Sequence, residues 1–125
     1  MKYVLLFCSS LADQEAFDAL SPDELRARYA EVGRWFQQHR SQIVESQQLQ
    51  GPDTATTVRF GRDGQPTITD GPFVETKEQL GGFYLVDCPS LDEAIEASAK
   101  MPVGDDGSVE IRPVMLFDEE GRPSS

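Results

Sequence analysis

A chain of 125 residues with 22 acidic against 11 basic side chains carries a formal net charge of −11. Its length suits one domain with a substantial core. The acidic balance excludes a nucleic-acid surface, which needs a basic stripe, and an anionic membrane.

The chain starts "MKYVLLFCSS", where Lys2, a short apolar run and Cys8 mimic a targeting segment. The run from Val4 to Cys8 is far shorter than the ~7–15 residues of a signal segment. Phe7 is also too large for the residue ahead of a lipoprotein cysteine. Residues 2–8 are apolar on both alternating faces and predict a strand buried on both sides. No run is long enough to span a bilayer. Two cysteines without a secretory signal point to a reducing cytoplasm.

"SPDE" at 21–24 is a helix start. Ser21 caps, Pro22 suits the first helical position and Glu24 closes a capping box. Leu25, Tyr29, Val32 and Phe36 then recur at helical spacing, and the helix is expected to run to His39–Arg40. Trp35 and Phe36 straddle two faces; Trp35 is expected at an interface or cleft rim. Residues 41–53 are polar and read as a loop. "TATTVRF" (54–60), "GRDG" (61–64) and "QPTITD" (65–70) read as strand, turn and return strand, with Pro66 confining the return strand to an edge.

"GFYLVDC" (82–88) is again apolar on both faces. "SLDE" (90–93) starts a second helix that ends before Pro102 and Gly104. "SVEIRPVMLF" (108–117) is a last strand, with Pro113 placing it at an edge. The unit spans 1–117, and 118–125 is an acidic tail expected to fray. The order is the βαββαβ plan of a ferredoxin-like α+β sandwich with an extra hairpin strand. The segments 2–8 and 82–88 fall on its central positions. These two strands are expected to run parallel, which puts Cys8 and Cys88 on one sheet edge, as two small buried side chains or as a redox pair. The helices cover one sheet face only, so the other predicts a homodimer, sheet against sheet.

Between the hairpin and the second central strand lies "DGPFVETKEQLGG" (70–82). Asp70 suits an Asx turn. Gly71 relieves the crowding that Pro72 imposes. Phe73 reads as a plug into an apolar pocket. Glu75, Thr76 and Lys77 add acid, donor and anion-binding groups, and Gly81 and Gly82 permit a close approach by a ligand or a helix. Paired carboxylates Asp70 and Glu75 could raise one another's pKa for acid/base work. The plain structural reading is a turn followed by solvated charges. His39, the only histidine, suits a helix end. No zinc spacing, calcium loop or phosphate loop is present, so no metal or cofactor is expected.

Residues 70–102, "DGPFVETKEQLGGFYLVDCPSLDEAIEASAKMP", closely resemble the signature of the YCII-related proteins in their DGPF branch. "MKYVLLF", "LSPDE", "TATTVR" and "VEIRPV" match as well, so the resemblance covers nearly the whole chain. It implies a dimeric α+β barrel and a small bacterial cytoplasmic protein of unestablished role. In the broader family a histidine in the first helix and an aspartate before a proline after the second were proposed as a catalytic pair. Here Glu24 and Met101 stand at those positions, so the pair is not carried over. Many DGPF members neighbour extracytoplasmic-function sigma factors, which implies a regulatory link. Two expectations result. One is a small-molecule binder or enzyme with a pocket between the long helix and the sheet, using Glu24, Tyr29, Asp70, Phe73, Glu75, Thr76 and Lys77. The other is a non-catalytic dimeric module that contacts a sigma factor.

Overall fold

Three serines start the three helices by the same device. Ser21 Oγ accepts the Glu24 N–H at 3.2 Å, and Glu24 Oε1 accepts the Ser21 N–H at 3.0 Å, completing the predicted capping box of the long helix Pro22–His39. Ser90 accepts the Glu93 N–H at 3.3 Å ahead of Leu91–Ala99. Ser10 accepts the Asp13 N–H at 3.0 Å and opens a helix over Leu11–Asp18 that the sequence reading did not contain. That helix buries no residue and so shows no apolar stripe.

The computed structural model describes residues 1–71 and 78–124. In chain order these form β1 (Lys2–Ser10), α1 (Leu11–Asp18), α2 (Pro22–His39), β2 (Ile43–Gln48), a 3₁₀ turn (Pro52–Thr54), β3 (Thr56–Phe60), β4 (Pro66–Asp70), β5 (Glu78–Asp87), α3 (Leu91–Ala99) and β6 (Ser108–Pro113). Four strands make one antiparallel sheet in the order β2-β5-β1-β6. The two doubly apolar segments are its central strands, and the Pro113 segment is an edge, as predicted. The mixed α+β class and this strand order agree with the ferredoxin-like plan.

The other edge differs from expectation. It is β2, from the stretch read as a loop, whose "IVESQQ" has a single apolar pair and little alternation to advertise a strand. The predicted hairpin 54–70 forms, but as a separate two-stranded sheet in which Val58 pairs with Ile68 and Phe60 with Pro66. The central strands are antiparallel, not parallel, and this separates the cysteines. Cys8 pairs with Leu80, whereas the Cys88 N–H donates to the Met1 carbonyl at the opposite end of β1. Both thiols are free.

The cross-strand pairs Tyr3–Val86 and Leu5–Tyr84 face the helices and meet Trp35, Ala94 and Ala97 in the core. Leu5 has no exposed surface. Trp35 is itself buried, correcting the rim position expected for it, while Phe36 is half-buried against the same core. The Trp35 indole N–H donates to the Ala97 carbonyl at 2.9 Å, tying α2 to α3. On the opposite face the pairs Val4–Leu85 and Leu6–Phe83 are half-buried. Among the described residues, no helix is long and apolar enough to cross a membrane.

Candidate functional site

The double glycine of the sequence motif builds a wall. Phe7 pairs with Gly82 and Cys8 with Leu80, so Gly81 is the extra residue of a β-bulge. The Phe7 ring lies directly over Gly82. A Cβ at that position would collide with the ring and stand 2.5 Å from the Gln47 carbonyl oxygen. The close approach foreseen at these glycines is therefore made by an aromatic ring, neither by a helix nor by a ligand.

From Phe7 a row of rings crosses the helix side of the sheet. Phe7 and Tyr84 have centroids 5.8 Å apart, Tyr84 and Trp35 4.7 Å, and Trp35 and His39 4.6 Å. His39 Nδ1 lies 2.8 Å from the Trp35 carbonyl, as suits a histidine in the last helical turn. Burial pushes the Tyr84 hydroxyl above its ordinary pKa, so it stays a neutral phenol at physiological pH.

Over this floor opens a cavity of about 950 Å³. Its sides are Phe17 and Leu20 from α1 and its exit, Tyr29 and Val32 from α2, Ser46 to Gln50 at the β2 end, and Met101 to Asp105 after α3. Phe17 and Tyr29 meet edge to face, with centroids 6.1 Å apart at 89°. The cavity is mostly apolar with a few polar groups, the usual make-up of a small-ligand site.

Four charged residues line it: Asp13, Asp18, Asp105 and Arg28. Asp13 is committed to the protein. Its Oδ1 lies 3.5 Å from the Asp106 N–H, and its carboxylate rests on Gly104, where a Cβ would meet it at 2.6 Å. Its Oδ2 is buried and has no hydrogen-bond partner. Asp18 accepts from Gln14 Nε2 at 3.1 Å. Cys8 also lines the cavity, but burial, then the charges of Glu78 and Glu110, raise its pKa; it is a protonated thiol and a poor nucleophile. Among the described residues no three His, Cys, Asp or Glu side chains are grouped to hold a metal.

Of the residues proposed from sequence, the structure describes three, Glu24, Tyr29 and Asp70. Tyr29 lines the cavity. Glu24 is not among the lining residues; its carboxylate closes the capping box, and the Ser21 backbone hydrogen bond, then the Ser21 hydroxyl, holds its pKa below the ordinary carboxylate value. Asp70 is the exposed last residue of β4 and does not line the cavity either. Phe73, Glu75, Thr76 and Lys77 lie outside the described residues. Phe7, Phe17, Arg28 and Tyr84 were not foreseen as site residues, and Trp35 was expected at an interface or cleft rim and not at the cavity floor. Only the helical spacing of Arg28, Tyr29, Val32 and Trp35 signalled that one face of α2 would look into a common space.

A family model described as the YCII-related domain matches residues 1–118. An uncharacterised protein of Rhizobium meliloti (strain 1021) is 44% identical over 75 residues, a stretch that covers 58% of this chain and 60% of that protein. The chain thus spans less than two thirds of that relative's length. With the family model matching all but its last seven residues, the chain belongs to the YCII-related family.

Proposed function

We propose that this protein is a small-molecule-binding member of the DGPF branch, acting as a homodimer, with the aromatic-floored cavity as its ligand site. The cavity is the observation that carries the reading: about 950 Å³ of mostly apolar space, walled by two helices, a sheet edge and a loop. Among the described lining residues none is an activated nucleophile, and a reaction is left unassigned. The test is a thermal-shift screen of a metabolite library against the wild type and Val32→Trp, whose indole narrows the cavity from the α2 wall. The reading requires compounds that raise the wild-type melting temperature more than the variant's. Equal shifts in both proteins, or none in either, would refute it.

Homodimerisation is supported by the sheet face that carries Val4, Leu6, Phe83 and Leu85, half-buried apolar side chains that stand outside the core cluster. A second reading, a non-catalytic module that contacts an extracytoplasmic-function sigma factor, draws on the β3–β4 hairpin. Its Val58, Phe60 and Ile68 are exposed on one face, and the net charge of −11 would steer a basic partner.

A further inference from the structure

Resting on that reading of the cavity, we propose that Arg28 makes it a site for a monoanionic organic acid whose ring or alkyl body lies on the aromatic floor. Arg28 is the one cation among the described residues that line the space. It is half-buried, and no described carboxylate pairs with it, although acidic residues outnumber basic ones two to one. A guanidinium that has lost part of its water and gained no carboxylate among the described residues presents donors that a ligand's carboxylate would match.

The acidic lining residues do not supply that partner, and they narrow the choice of ligand. Asp13 is held against Gly104 and the Asp106 N–H, and its free oxygen has no accessible surface that an ammonium group in the cavity could touch. Asp18 and Asp105 are exposed at the rim, where water screens them. With no second cation among the described lining residues, a polyanion such as a nucleotide would leave charge unmatched, whereas a single carboxylate is met at Arg28. Phe17 and Tyr29, beside Arg28 in the wall, and Trp35 and Tyr84 beneath, then take the apolar body.

The experiment compares three probes of one shape: 3-phenylpropionate, 3-phenylpropanol and 3-phenylpropylamine. Trp35 is the only tryptophan, so its emission reports on the cavity, with calorimetry as a second readout. The acid should bind about tenfold more tightly than the alcohol or the amine, the effect of one charge-assisted hydrogen-bond pair. Arg28→Gln should weaken the acid about tenfold and leave the alcohol unchanged, and Arg28→Lys should restore part of the loss. If the amine binds best, or Arg28→Gln leaves the acid unaffected, the acid specificity is overturned while the cavity reading stands. If none of the three binds the wild type by either readout, both fall.

Discussion

At the scale of single residues, Gly82 is held tightly on two sides. It has no room for a methyl group between the Phe7 ring and the Gln47 carbonyl. Gly82→Ala should destabilise by about 3 kcal/mol, the upper part of the overpacking range, and displace Phe7 from the cavity wall. Chemical denaturation and the emission of Trp35 would report the two effects. Trp35→Phe removes the indole donor, while the Ala97 carbonyl keeps the Lys100 N–H at 3.3 Å, so the cost is that of one hydrogen bond, about 1 kcal/mol. Glu24 has a role that pH can read. Its folded-state pKa is depressed, so its contribution is fully present above the unfolded carboxylate value and disappears as pH falls through the folded one. Glu24→Ala should therefore melt below the wild type at neutral pH, with the gap closing as acid protonates the wild-type carboxylate. A gap that persists unchanged in acid would show that the carboxylate charge is not the stabilising element. Gly71 marks a different constraint: its φ of 105° explains why glycine precedes Pro72, beyond relief of crowding.

At the scale of elements, periodicity exposed what the core needed and missed what it did not. β1, α2, β5 and α3 bury most of the core and were readable from apolar alternation or spacing. α1 buries nothing, and its one cue was Ser10 three residues before Asp13, the same serine-to-acid spacing that was recognised at 21 and 90. β2 is polar because it is an edge with one half-wet face, so composition hid it. The hairpin was legible from its turn residues, yet strand chemistry alone does not say which sheet a strand joins. Since β3 and β4 pair only with each other, their exposed apolar face adds little to the fold. Phe60→Asp, at a side chain 78% exposed, should change stability by less than about 0.5 kcal/mol. A larger loss would mean that the face is covered in solution.

At the scale of the whole molecule, the site was legible only in its neighbourhood. The space between α2 and the sheet was foreseen, and Tyr29 with it. Its floor came from Phe7 and Tyr84, which sequence logic assigns to packing because a cavity wall and a core look alike in one dimension, and from Trp35, which was expected at an interface or cleft rim. Asp70 was singled out by its motif, whereas the fold places it on the hairpin, exposed and away from that floor. The open sheet face makes an independent prediction. Light scattering should give twice the 13.9 kDa chain mass, and Phe83→Glu should halve it, because a charge on that face would lose its water on association. The central claim is that ligands enter the cavity and not some outer face. An amide-detected NMR titration with a fragment library tests it most directly. The account predicts that hits perturb Phe7, Arg28, Tyr29, Trp35 and Tyr84 together; hits that map instead to the β3–β4 hairpin or the open sheet face would contradict it.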